Sequence, residues 1–301
     1  MSVIALTGGT GFVGSRLIDH ALAAGHQVRA LTRRPQPPRD GLTWIDGGLD
    51  DHTALTRLVA GAEAIVHVAG VINAPDRAGF AAGNIAGTEA MLAAAASAGI
   101  KRFVHVSSLA AREPALSDYG WSKAEAEARV VASDRDWTVV RPPAVYGPAD
   151  MEMREMFRLA RFGLALLPPT GRLSVIHVDD LVALLLTLTN NDLGGAILEA
   201  DDGVEGAWTH KAFGLALGKA VGKRVLPIAL PRAVMALAAQ GDRLVRGRKA
   251  KLTPDRVAYF CHPDWTVDPD KRPPSQLWQP KIATPDGLAA TAAWYRANGL
   301  L

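Results

Sequence analysis

The chain has 301 residues, 49% of them hydrophobic and 21% charged, with a formal net charge of +3. That predicts one large domain or two closely joined ones with a full buried core, and it excludes a disordered chain. Cys261 is the sole cysteine, which excludes an internal disulfide framework and suits a reducing cytoplasm. The longest apolar run, LVALLLTLT at 181–189, falls far short of the ~20 residues of a membrane-spanning helix. A strand-like SVIAL follows Met1 directly, so no signal peptide is expected.

In chain order, short β-branched runs recur at 2–7 (SVIALT), 27–32 (QVRALT), 42–46 (LTWID), 64–70 (AIVHVAG), 102–108 (RFVHVSS) and 137–142 (WTVVRP), with stretches of helical period between them. Near-continuous apolar strands alternating with helices predict an α/β fold: a Rossmann-type, doubly wound parallel sheet covered on both faces. LSVIHV (173–178) and DDLVALLLTLTN are expected to return to that sheet. Beyond residue 200 the chain turns helical and proline-punctuated, with Trp208, Trp265, Trp278 and Trp294 expected in a core. The division expected is a nucleotide-binding domain of 1–148 and 173–200, and a smaller, mainly helical substrate domain of 149–172 and 201–301.

Between the first strand and first helix stands T-G-G-T-G-F-V-G (7–14). In that context Gly8 takes the tight turn, Gly11 lets backbone approach a pyrophosphate, and Gly14 lets helix press on strand. The first free amides, around Phe12 and Val13, then face the phosphates. The second strand ends in Leu31-Thr32-Arg33-Arg34, without the acid that would grip a ribose 2′-hydroxyl. Thr32 removes the repulsion, and Arg33 with Arg34 can clamp a 2′-phosphate. NADP(H) is therefore expected rather than NAD(H).

Tyr119 and Lys123 are four residues apart and share a helix face. A neighbouring ammonium stabilises a phenolate and brings its ordinary pKa of ~10 toward working range. Upstream, Ser107-Ser108 place hydroxyls at the carboxyl end of a strand, where open α/β sheets bind ligands.

At these residues the sequence resembles the extended branch of the short-chain dehydrogenase/reductase superfamily over nearly its whole length. TGGTGFVG, the NIAGTEAML segment beginning at Asn84, RPPAVYGP (141–148) and VIHVDDLV (175–182) carry the resemblance. It implies Tyr119 as general acid/base, Lys123 lowering its pKa and holding the nicotinamide ribose, and Ser108 polarising the substrate oxygen. Adjacent Ser107 is the alternative serine. It implies that Asn84 helps hold a proton-relay water, that Pro142 and Val145 hold the carboxamide, and that Thr7, Leu49, Ala69 and Gly70 line the cofactor. The family's usual Gly-Asp-Leu is here Gly47-Gly48-Leu49, so an adenine contact would fall to Asp50 or Asp51.

Three readings stand open: a reductase acting on a carbonyl of a fairly hydrophobic small molecule (or oxidising the alcohol), a nucleotide-sugar epimerase or dehydratase that retains its cofactor, and a non-catalytic NADPH-binding scaffold. The NADP-selecting arginines, the short Ser108–Tyr119 gap and the apolar stretch near 205–250 favour the first. Neither a nucleic-acid partner nor a metal site is expected: His177 with Asp179 and Asp180 reads as a strand end and helix cap, Cys261 as packing, and His67 and His105 as hydrogen-bonded core histidines. A homodimer is expected by analogy alone. Residues 219–256 hold ten Lys or Arg against Asp242 and Asp255, a net +8 in a chain of +3. This window reads either as a solvated helix face or as a contact with an anionic partner or membrane surface.

Overall fold

The computed structural model describes residues 2–247 and 252–301. The early apolar runs form β1 (Val3–Thr7), β2 (Gln27–Thr32), β3 (Leu42–Asp46), β4 (Ala64–His67), β5 (Arg102–Val106) and β6 (Asp136–Val140), alternating with α1 (Phe12–Ala23), α2 (His52–Val59), α3 (Arg77–Phe80), α4 (Gly87–Ser97) and α5 (Asp118–Val131). There follow β7 (Ala144–Tyr146), α6 (Arg154–Arg161), β8 (Leu164–Leu167), β9 (Arg172–Leu173), β10 (Val175–His177), α7 (Val178–Thr189), β11 (Ala196–Leu198), β12 (Trp208–Thr209), α8 (His210–Ala220), β13 (Leu226–Ala229), α9 (Arg232–Arg246), α10 (Pro254–Phe260), β14 (Asp264–Trp265) and α11 (Thr284–Ala297).

The main sheet has seven strands in the order β11-β6-β5-β4-β1-β2-β3, every neighbouring pair parallel. This is the doubly wound Rossmann arrangement. Strand order reverses between β1 and β4, the switch point at whose carboxyl edge such sheets bind ligands. β4 and β5 are buried along their whole length because both sheet faces are covered. Leu55, Leu58, Ile65, Met91, Phe103 and Val139 form one such buried face.

Two compact units emerge. The first comprises residues up to Arg141, Leu181–Glu199 and Lys271–Trp278; the second comprises Pro142–Asp180, Ala200–Asp270 and Gln279–Leu301. The second has its own core, with Tyr146, Phe157, Val175, Phe213, Leu288 and Tyr295 at its centre.

Two expectations need correction. Residues 173–178 do not join the main sheet: β10 pairs in parallel with β7, register Val175 to Ala144, within the second unit. The edge of β6 is taken instead by β11, a three-residue strand too short to announce itself. Trp278 belongs to the first unit rather than to the second unit's core.

Candidate functional site

The glycine turn is built by close approach. Gly8 has φ +78°, and a Cβ there would come 2.7 Å from the Ala69 nitrogen; one on Gly14 would lie 2.1 Å from the Gly8 oxygen. Neither position tolerates a side chain without moving backbone. Gly11 caps α1 with no side-chain hydrogen bond to its amides, so the first-turn amides at Phe12 and Val13 keep their capacity for an anion. Thr7, buried at the end of β1, bonds His67 Nδ1 at 2.7 Å and accepts from the Ala69 amide at 3.2 Å.

The Thr32 hydroxyl donates to the Arg34 carbonyl at 2.6 Å, folding the chain so that Arg33 and Arg34 are both exposed. Asp51 caps α2 by accepting from Ala54 N at 2.9 Å, whereas Asp50 is exposed. Leu49 covers Gly87, where a Cβ would meet its Cδ1 at 2.6 Å.

Helix α5 carries the acid/base candidates. Ser117 caps it, accepting from Gly120 N at 3.0 Å. Gly120 lies so close to the turn after β5 that a Cβ would sit 2.7 Å from the Ala110 oxygen, which brings the start of α5, and Tyr119 with it, against the segment carrying Ser108. Ser108 is half-buried and accepts from Ala110 N at 3.2 Å. Tyr119 is likewise half-buried, its ring 6.2 Å from that of Phe80.

Lys123, one turn further on, is buried and donates to the Val106 carbonyl at 2.7 Å. Burial pulls its pKa from 10.5 to about 8, and the Glu127 carboxylate partly opposes the shift. A Cβ on Gly70 would lie 3.1 Å from Asn84 Oδ1 and 3.6 Å from Lys123 Nζ. Gly8, Ala69, Gly70, Asn84 and Lys123 therefore form one continuous run of contacts at the carboxyl edge of the sheet.

Asn84 sits in a π-helical turn, Ala81–Ala86, between α3 and α4. Its carboxamide accepts from Val71 N at 2.6 Å and donates to Val71 O at 3.0 Å and Ser122 Oγ at 2.8 Å. Ser122 in turn donates to the Tyr119 carbonyl at 2.8 Å. Asn84 thus ties the loop after β4 to the first turn of α5.

The two serines separate. Ser107 is buried and donates to Glu127, which also receives Arg141 Nε at 2.9 Å and Nη2 at 2.6 Å. Arg141 continues to Glu199 at 3.4 Å, and Arg112 reaches Glu199 at 3.2 Å. Ser107 is thereby committed to a buried ionic network, whereas Ser108 is the more accessible of the two. Sequence reasoning missed that network and Ser122; the available signal was that Glu127 follows Lys123 by another four residues on the same face of α5.

Of the core histidines, His67 is bonded to Thr7 and to Thr88 at 3.1 Å. His105 is not: both ring nitrogens are buried without a partner among the described residues, and its ring stacks on His67 with centroids 5.4 Å apart. The expectation of a hydrogen-bonded His105 is corrected: β4 and β5 pair His67 with His105 in register, which stacks the two rings. Burial, followed by the Lys123 charge, lowers His67 to about 3 and drives His105 well below its ordinary value, so both are neutral. His177 ends β10 and its Nδ1 accepts from the Asp179 amide at 3.2 Å at the start of α7, while Asp180 accepts from the Lys281 and Ile282 amides at 3.0 Å each. Cys261 packs with Met235 and Val257. Pro142 and Val145 belong to the second unit. Among the described residues no helix is long and apolar enough to cross a membrane.

A family model described as NAD(P)H-binding matches residues 8–156. The ceramide reductase of Caulobacter vibrioides is 37% identical over 99% of this chain and 96% of its own length. A ketoreductase from Stigmatella aurantiaca, whose substrate is a farnesylated dihydroquinoline oxide, is 31% identical over 66% of this chain and 67% of its own. Among solved structures, MoeE5 in complex with UDP-glucuronic acid and NAD superposes with a TM-score of 0.74 at 22% identity, covering 99% of this chain and 100% of that one.

Proposed function

Given that this chain belongs to the extended short-chain dehydrogenase/reductase superfamily and is an NAD(P)-dependent oxidoreductase, we propose that it reduces a ketone on a long-chain, ceramide-like lipid with NADPH, using Ser108, Tyr119 and Lys123. The observation that carries the substrate class is the end-to-end match to a ceramide reductase. The matched stretch spans the second unit, where no recognised motif fixes chemistry, as well as the nucleotide-binding residues common to the superfamily.

The residues present fit the coenzyme. Gly8 and Gly14 leave a cradle that a Cβ would fill, the first amides of α1 have no side-chain cap, and Arg33 and Arg34 are exposed, without an ion-pair partner among the described residues. Gly8, Gly11, Phe12, Val13 and Gly14 would hold the pyrophosphate, with Thr7, Leu49, Ala69 and Gly70 around the rest of the coenzyme. Arg33 and Arg34 would hold the 2′-phosphate that selects NADP(H) over NAD(H). When bound, the coenzyme supplies the hydride.

This chain's own groups manage the proton. The Ser108 hydroxyl donates a hydrogen bond to the substrate's carbonyl oxygen, and the Tyr119 hydroxyl delivers the proton that completes the alcohol. The Lys123 ammonium stabilises the phenolate left behind. Asn84 fixes the first turn of α5 through Ser122 and would hold a water through which the phenolate is reprotonated.

The test is turnover by the purified chain of a keto analogue of ceramide in mixed micelles with NADPH or NADH. Coenzyme oxidation matched by alcohol formation, at a kcat/KM at least about tenfold higher with NADPH, is the expected result. Turnover of a nucleotide sugar with coenzyme that survives dialysis, and none of the keto-lipid, would overturn it in favour of an epimerase.

A further inference from the structure

Helix α9 violates the pattern expected of a surface helix. One side packs: Met235 and Ala239 are buried against α10 with Val257, Leu230, Leu252 and Cys261. Asp242 continues that side, accepting from the Leu252 amide at 2.9 Å. The side open to solvent ought to be charged, yet Ala233 to Gly241 contains no charged residue. It exposes Val234 at 48%, Leu237 at 68%, Leu244 at 87% and Val245 at 85%, with exposed Ala238 and Gly241 between them. These positions recur as i, i+3, i+4, i+7, i+10 and i+11, the spacing of a single helical stripe.

The approach to α9 repeats the anomaly. The β8–β13 ribbon aligns Leu226 with Leu164, and Leu164, Leu166 and Leu226 are all exposed. A run of exposed leucines of this size marks an interaction surface.

Charge identifies what covers it. Arg232 opens α9, exposed and without an ion-pair partner among the described residues, and Arg246 closes it, exposed and paired with Asp242 at 3.3 Å. Lys223 and Arg224 precede the helix, and the 219–256 segment totals +8. Arg248, Lys249 and Lys251 of that segment lie outside the described residues. Two copies docking stripe to stripe would bring two such segments together, whereas a negative lipid surface attracts each. At ~1.5 Å per residue the 15 residues of α9 span ~22 Å, too short to cross a bilayer but suited to lying in its interface.

We propose that α9 is a peripheral membrane anchor that lies in the headgroup region of an anionic bilayer, Val234, Leu237, Leu244 and Val245 facing the acyl chains and the flanking arginines facing lipid phosphates. The inference goes beyond the proposed reaction and does not depend on it, since a water-soluble substrate would leave it standing.

Vesicle flotation of the full chain tests it, with phosphatidylcholine alone and with phosphatidylglycerol added. Binding to the anionic vesicles exceeds binding to the neutral ones by at least about tenfold and weakens as salt is raised. Leu237→Glu with Leu244→Glu lowers anionic-vesicle binding at least about tenfold, while thermal unfolding and NADPH affinity stay as in the parent. If the glutamates unfold the chain, Val234→Gln with Val245→Gln serves in their place. Arg232→Glu lowers binding to anionic vesicles alone. Failure to float with phosphatidylglycerol overturns the proposal, as does equal binding by the parent and the apolar-face variants. A dimer that these variants convert to monomer would also overturn it, by assigning the stripe to a second copy.

Discussion

Helices α5 and α9 break the ordinary rule of helix polarity in opposite directions. α5 buries Ser122, Lys123 and Glu127, whereas α9 exposes Leu237, Leu244 and Val245. Buried charge is costly unless paired, and every buried charge on α5 has partners: Lys123 has the Val106 carbonyl, and Glu127 has Ser107 and a two-pronged Arg141. The exposed leucines of α9 have no such compensation among the described residues. The difference separates two kinds of departure. A polar group carried inward and fully satisfied builds a site, whereas an apolar one left outward calls for something outside the molecule.

The comparison can be broken first at its strongest joint. Arg141→Met leaves Glu127 buried without its two-pronged partner and weakens the hold on Glu199. It lowers stability by ~3–5 kcal/mol, measured by urea unfolding, and a loss under ~1 kcal/mol would show the network to be dispensable. Next is the coenzyme clamp: Arg33→Ala with Arg34→Ala weakens NADPH binding by ~1.5–3 kcal/mol and leaves NADH binding unchanged. An equal loss for both coenzymes would remove the 2′-phosphate assignment.

A smaller effect reports on Lys123. Its pKa is lowered to about 8, so its ammonium is present below that pH and lost above it; kcat/KM for reduction therefore falls as pH rises through about 8. Glu127→Gln removes a carboxylate that favours the ammonium, moving this limb downward by up to about one unit. An upward shift or an unmoved limb would contradict the link. The smallest effect belongs to α9: Leu237→Glu changes unfolding stability by no more than ~0.5 kcal/mol, because Leu237 is 68% exposed among the described residues. A loss of ~2 kcal/mol would mean the side chain is covered.

The six early strands and the glycine turn were legible in the sequence because doubly covered strands leave apolar runs, and because a strand–glycine–helix sequence has few physical uses. The run at 173–178 was legible as a strand but not in its pairing, since a short apolar segment does not say which edge it joins. The ionic network was hidden by distance: Arg141 meets Glu127 across 14 residues and Glu199 across 58, and Arg112 meets Glu199 across 87. Nor did Asn84 disclose its π-helical turn, whose extra residue carries no compositional signal. The Ser107–Ser108 ambiguity needed the burial of Glu127 to assign Ser107 to the interior. The stripe on α9 was visible as apolar residues, but only the packing of Met235 and Ala239 shows that the helix has a second, uncovered face.

The most direct measurement is single-turnover reduction of the keto-ceramide analogue by the Tyr119→Phe variant, with NADPH binding followed in parallel. Loss of the phenol's proton lowers the rate by ~10²–10⁴ and leaves NADPH affinity at the parent value. A rate within about twofold of the parent, with NADPH affinity intact, would place the proton donor elsewhere and contradict the account.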